Sequence, residues 1–172
     1  MIEEVMFSEE QLKKRAAELG AEISKDYEGK PILLIGILKG SLPFMADLMR
    51  RIDGDVEIDF MAVSSYGSST ISSGVVKIIK DLDHSIEGKN VIVIEDIIDT
   101  GITLSYLSKY LTDKRPASLK VCTLLDKPSR RKVEFNADYV GFTIEDKFII
   151  GYGLDYDQKY RQLPYISWIK EV

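Results

Sequence analysis

The sequence predicts an α/β fold: a doubly wound, mainly parallel sheet flanked by helices. Two observations carry this. PILLIGIL, from Pro31, and NVIVI, from Asn90, are short continuous apolar runs of the kind shown by strands buried on both faces. Each is followed by a tight polar loop and then a helix-like segment, so strands alternate with helices along the chain. Ligands of such sheets bind beyond the carboxyl ends of the strands.

Residues 8–27 fit an amphipathic helix. Ser8 and Gln11 make a capping-box pattern, and Leu12, Ala16, Leu19, Ile23 and Tyr27 recur at three- or four-residue spacing. The first buried strand ends at Lys39-Gly40-Ser41, where Ser41 is the expected N-cap of the next helix and Pro43 sits in its first turn. DVEIDFMAV, residues 55–63, alternates and predicts a half-buried strand. The following SSYGSSTISSG is too poor in apolar residues to order itself and predicts a mobile loop. VVKIIK returns as a strand, giving an extended hairpin with that loop at its tip. Residues 90–94 predict a strand ending in an EDIIDTG loop, with a helix over 102–111. Strands over 118–125, 139–144 and 148–152 complete the pattern.

A length of 172 residues predicts one domain spanning 1–172. The net charge of −5 argues against broad nucleic-acid binding, which needs a basic surface. It does not argue against a small anionic substrate, which backbone N–H groups can hold locally. Cys122 is the only cysteine, so an intrachain disulfide is excluded and a reducing, cytoplasmic setting is expected. MIEEVMFSEEQ lacks the apolar stretch of a signal peptide, and no run reaches the ~18 residues of a membrane span. His84 has no partner at metal-ligand spacing, Cys122 predicts a buried, inert thiol, and Trp168 predicts packing.

The most specific string is VIVIEDIIDTGITL, residues 91–104. Two adjacent carboxylates at the end of a buried strand are costly unless a cation or hydroxyl groups meet them. Asp99-Thr100-Gly101-Ile102-Thr103 then supplies a turn glycine, two hydroxyls and the start of a helix, the ingredients of a phosphate cradle. Neither G-x-x-x-x-G-K-[ST] nor G-x-G-x-x-G after a strand is present. Singly, Glu95 and Asp96 would read as solvated acids and Asp99 as a helix cap; the ordered string reads otherwise.

EDIIDTGITL resembles the phosphoribosyl diphosphate signature of type I phosphoribosyltransferases, in the wording of their hypoxanthine-guanine branch. The resemblance extends over LKGS at 38–41, SSYG at 64–67, LLDKPSRR at 124–131 and KFIIGYGLDYDQKYR at 147–161. It implies the type I fold with a small hood and a flexible hairpin lid. It also implies transfer of the 5-phosphoribosyl group from phosphoribosyl diphosphate to hypoxanthine or guanine, giving IMP or GMP plus diphosphate. Mg²⁺ is the implied cofactor, and a homodimer or homotetramer the implied assembly.

On the resemblance, Glu95 and Asp96 hold the ribose hydroxyls directly or through Mg²⁺, and Thr100, Gly101 and Thr103 grip the 5′-phosphate. Lys39, Gly40 and Arg161 meet the diphosphate, the Leu38–Lys39 peptide can be cis, and Asp155 binds a second Mg²⁺. Lys127 reads the purine 6-oxo group, Phe148 stacks on the ring, and Ile149 offers its backbone. Asp99 manages a proton near purine N7, and Ser65 and Tyr66 touch substrate when the lid closes. By residue type alone, Lys39 reads as a surface lysine, Arg161 as a surface salt-bridge partner and Phe148 as a core residue. Rival readings are a regulatory protein of the same fold, which should be basic, a plain binding module, and an enzyme for another base. Lys127 with Phe148-Ile149 favours hypoxanthine and guanine and leaves xanthine open.

Overall fold

The computed structural model describes residues 2–65 and 76–170. Its main sheet holds β2 (Ile32–Leu38), β3 (Val56–Ser65), β4 (Val76–Lys80), β5 (Asn90–Ile98), β6 (Ser118–Asp126) and β7 (Tyr139–Thr143). Their order is β4-β3-β2-β5-β6-β7, parallel throughout except that β4 runs antiparallel to β3.

The continuous apolar runs are explained by cores on both faces. In β5, Ile92 and Ile94 face helices α1 (Glu9–Tyr27) and α2 (Leu42–Met49), while Val91 and Val93 face α3 (Ile102–Thr112). Helix α1 presents Leu12, Ala16, Leu19, Ile23 and Tyr27 to the first core, as its spacing predicts. Its capping box is formed: the Gln11 N–H donates to Ser8 Oγ at 3.2 Å, and the Ser8 N–H to Gln11 Oε1 at 2.8 Å. The doubly wound expectation therefore holds. It lapses between β6 and β7, where a single 3-10 turn, Pro128–Arg130, replaces a crossover helix.

Two expectations about local structure need correction. Ser41 flanks α2, but its hydroxyl makes no capping bond; it is fully buried. β5 does not stop at residue 94: its pairing with β6 continues to Ile98↔Asp126, so Glu95 and Asp96 lie in the strand rather than in a loop.

A second, antiparallel sheet of order β1-β9-β8 joins β1 (Ile2–Phe7), β8 (Phe148–Ile150) and β9 (Ile166–Ile169). β8 stops at Ile150 rather than at 152, because Gly151 turns at φ +96°. Neither β1 nor β9 is marked in the sequence, since each is short and they come from opposite ends of the chain. The sheet docks on the first core, where Phe7 stacks on Phe142 with ring centroids 4.0 Å apart. Trp168 packs there as expected, with Lys147 Nζ 4.3 Å above its ring. Cys122 is buried, and burial pushes its thiol pKa far up, so it is inert. No helix among the described residues is long and apolar enough to cross a membrane.

Candidate active site

The loops after β2, β5 and β6 meet at the carboxyl edge of the sheet. At the end of β5 the chain turns through Asp99 and Thr100 into Gly101, whose φ of +83° is one that residues with a Cβ rarely adopt. A Cβ there would also press on Arg131 Cδ at 3.1 Å and Phe135 Cβ at 3.2 Å. Helix α3 starts at once, leaving the N–H groups of Thr103 and Leu104 without intrahelical acceptors. Asp99, Thr100, Gly101 and Thr103 line a cleft of about 200 Å³ together with Glu95. The predicted phosphate residues are thus brought together, on an edge where a helix dipole favours an anion.

Glu95 is buried, and Asp96 partly so. Burial, then the neighbouring Asp96 charge, holds the Glu95 carboxyl well above the usual range. Burial also raises Asp96, opposed by hydrogen bonds, including one from the Ile97 N–H at 2.6 Å, and by the Arg161 charge. Neither acid forms a salt bridge among the described residues. Two carboxylates kept close together without a salt-bridged cation suit a hard divalent ion or a pair of sugar hydroxyls, so the residues fit Mg²⁺. Asp155 is not gathered with them, for no cluster of three metal-ligating side chains forms among the described residues.

Asp155 belongs to a cationic corner opposite. The Leu38–Lys39 peptide is cis, and Lys39 Nζ donates to Gln158 Oε1 at 3.2 Å. Arg161 Nη2 donates to the same oxygen at 3.2 Å and lies 3.5 Å from Asp155 Oδ1, while Arg161 Nη1 donates to Gly153 O at 2.6 Å. Gly40 and Gly153 make this convergence sterically feasible. A Cβ on Gly40 would overlap Asp96 Oδ2, and one on Gly153, at φ +100°, would overlap Gly40 O. Lys39 and Arg161 are therefore paired across loops far apart in sequence rather than being independent surface charges.

On the third side, Lys127 is buried and its Nζ lies 3.4 Å from Asp146 Oδ1, while Arg130 Nη1 lies 3.4 Å from Asp146 Oδ2. Phe148 is 41% exposed and meets Tyr156 edge-on at 5.6 Å, so it is no core residue. Ile149 is buried in the second sheet opposite Trp168. A cleft of about 330 Å³ is lined by Asp99, Lys127, Asp146, Phe148, Ile149 and Asp155. Asp99 lines this cleft and the first, as does Ile97, so the two adjoin at the end of β5. The Ser65 side chain and Tyr66 lie outside the described residues.

The phosphoribosyl transferase domain family matches residues 6–157. The chain is 57% identical to a hypoxanthine-guanine phosphoribosyltransferase of Bacillus subtilis, over 98% of this chain and 94% of that one. The chain belongs to the phosphoribosyltransferase family. Its fold is the type I fold of solved relatives. A Staphylococcus aureus hypoxanthine phosphoribosyltransferase superposes with a TM-score of 0.95 at 53% identity, covering 98% of this chain and 92% of that one. A Bacillus anthracis hypoxanthine-guanine phosphoribosyltransferase does so with 0.95 at 53%, covering 98% and 99%.

In this phosphoribosyltransferase, two residues that sequence reasoning passed over stand inside the site. Gln158 receives both cations, from a stretch where Asp157, Gln158 and Tyr160 all have positive φ. Those conformations leave no mark in DYDQKYR beyond its polarity. Arg131 donates to Asp99 O at 3.1 Å, to Phe135 O at 2.8 Å and to Asp126 Oδ1 at 2.7 Å. Its signal was present: the doubled arginine at 130–131 follows directly on the lysine assigned to the base.

Proposed function

We propose that this chain is a purine salvage enzyme. It transfers the 5-phosphoribosyl group from phosphoribosyl diphosphate to hypoxanthine or guanine, giving IMP or GMP and diphosphate. The observation that carries this reading is Asp99, which lines both the phosphate-type cleft and the cleft holding Lys127 and Phe148. A proton-accepting group at the junction of a sugar-phosphate subsite and a base subsite is what glycosidic bond formation needs.

A purine ring nitrogen attacks C1 of the ribose, and the C1–oxygen bond breaks with its electrons leaving on diphosphate. Asp99 accepts the proton the purine gives up. Lys127 donates to the 6-oxo group, which an exocyclic amine could not accept, so adenine is disfavoured. Phe148 offers an exposed face for stacking, typically about 1–3 kcal/mol per base. Lys39 and Arg161 receive the charge growing on the leaving diphosphate, and the 100–103 cradle fixes the 5′-phosphate. Positive charge on the ribose ring develops beside Glu95 and Asp96, which stabilise it. Those two carboxylates would hold one Mg²⁺ and Asp155, on the diphosphate side, a second; bound Mg²⁺ would supply charge neutralisation of the substrate. Ser65 and Tyr66 would exclude water over the site.

The test is incubation with phosphoribosyl diphosphate, Mg²⁺ and each purine base in turn. Nucleotide and diphosphate should form with hypoxanthine and guanine and not with adenine. No diphosphate release with any base overturns the enzyme reading. We place the activity in the cytoplasm, in keeping with the single, buried cysteine.

A further inference from the structure

The connector between β6 and β7 does more than carry Lys127. It takes three successive carbonyls at the end of β5. The Lys127 N–H donates to Ile98 O at 2.9 Å, Arg131 Nη1 to Asp99 O at 3.1 Å, and the Lys132 N–H to Thr100 O at 2.9 Å. In a trans peptide the N–H lies opposite the C=O. Carbonyls 98–100 held toward the connector therefore turn the N–H groups of residues 99–101 to the other side, where an anion is met.

Arg131 is the one side chain among those three donors, and its remaining nitrogens are committed as well. Nε reaches Phe135 O and Nη2 reaches Asp126 Oδ1, the last residue of β6. The guanidinium thus joins strand, connector and loop. The side chains of Arg131 and Asp126 are only 15% and 14% exposed, so this ion pair is sheltered from solvent screening in a way surface pairs are not.

We propose that Arg131 is the positioning residue that locks the 99–101 loop in its anion-binding conformation and fastens it to the segment bearing Lys127. This rests on reading the two adjoining clefts as ribose-phosphate and purine subsites. Three acceptors on three guanidinium nitrogens are a demand lysine cannot meet, because its three N–H donors all sit on one nitrogen rather than along a planar fork. None of Arg131's hydrogen bonds reaches Lys39, Gly153, Gln158 or Arg161, so the cationic corner stands independently of it.

The experiment is calorimetric titration of IMP and, separately, of inorganic diphosphate with Mg²⁺, into the parent protein, Arg131→Met, Arg131→Lys and Asp126→Asn. IMP affinity should fall at least about tenfold in both Arg131 variants, although lysine keeps the charge, and about threefold in Asp126→Asn. Diphosphate affinity should stay within about twofold throughout. A merely structural role would lower both affinities together, and that result overturns the proposal. So does IMP binding within about twofold of the parent in Arg131→Met. Should Arg131→Met fail to fold, Asp126→Asn decides in the same way, since it loosens the guanidinium without removing it. A parent protein that binds no IMP overturns the underlying reading and this proposal with it. Parent binding with unmoved variants overturns this proposal alone.

Discussion

The two sides of the site are built differently. The side facing ribose and phosphate is one continuous stretch, 95–103, carried on the central, largely buried strand β5 and the first turn of α3. The side facing diphosphate and base is gathered from residues 39–40, 127–130, 146–149 and 153–161, and depends on how the small antiparallel sheet docks. The continuous side is fixed by local backbone geometry. The gathered side is fixed by contacts between loops, such as Gly153 lying against Gly40. Chemistry on the first should therefore fail mainly when its own atoms change, whereas the second should also fail through substitutions that touch no ligand.

Asp99→Asn tests this most severely, because Asp99 lies on the continuous side but lines both clefts. The amide keeps the shape and loses the proton acceptor. Turnover should fall by about 10²–10⁴-fold, the usual worth of a general base, with phosphoribosyl diphosphate affinity nearly unchanged. Steady-state kinetics with a parallel binding titration will show it. Near-normal turnover removes Asp99 from the chemistry, and a matching collapse in affinity means the two sides do not divide at this residue.

Gly153→Ala strikes the gathered side without removing any functional group. The new Cβ would overlap Gly40 O at a φ of +100°, and backbone strain of this sort costs about 1–3 kcal/mol. The 153–161 loop should lift from the 39–40 loop, weakening diphosphate binding by about tenfold for each 1.4 kcal/mol of that strain. IMP affinity should change less, since its phosphate is held on the continuous side and its base meets residues 127–130 and 146–149 rather than the displaced 39–40 contact. Equal losses for both ligands would show that the sides are one rigid unit, and the comparison would break.

The same contrast explains what could be read from the sequence. EDIIDTGITL was legible because its residues act where they stand in the chain, and the structure gathers Glu95, Asp99, Thr100, Gly101 and Thr103 around one cleft. The parallel sheet was legible from runs such as ILLIGIL, since burial on both faces leaves no polar positions. β1 and β9 were not, because pairings such as Ile2↔Ile169 are set by docking rather than by local pattern. Nor was Gln158, whose place depends on a run of positive φ values that nothing in its composition demands. The continuation of β5 past residue 94 leaves no sequence signal because acids seldom sit in a buried strand, and Glu95 does so at a cost in its own ionisation.

That cost gives the mildest prediction and the one most specific to the continuous side. Burial and the Asp96 charge raise the folded-state pKa of Glu95 above its unfolded value, about 4.3 for a free glutamate. Between those two values the folded protein holds more protons than the unfolded chain, so stability falls as pH rises. Metal-free protein should accordingly draw its full stability from this group below the unfolded pKa and lose it as pH climbs through the folded one. Glu95→Gln removes the dependence. It should gain about 0.5–2 kcal/mol at neutral pH, as relief of a functional-site strain commonly does, while phosphoribosyl diphosphate binds more weakly for want of the carboxylate. Thermal melts of parent and variant across about pH 4 to 8, with chelator present, isolate Glu95 together with its coupling to Asp96, because titrations elsewhere are common to both. The curves should converge at the acid end and separate toward neutrality, with the variant above. Parallel curves would mean that Glu95 is compensated within the protein itself, and that the pressure for a cation at this edge comes from elsewhere.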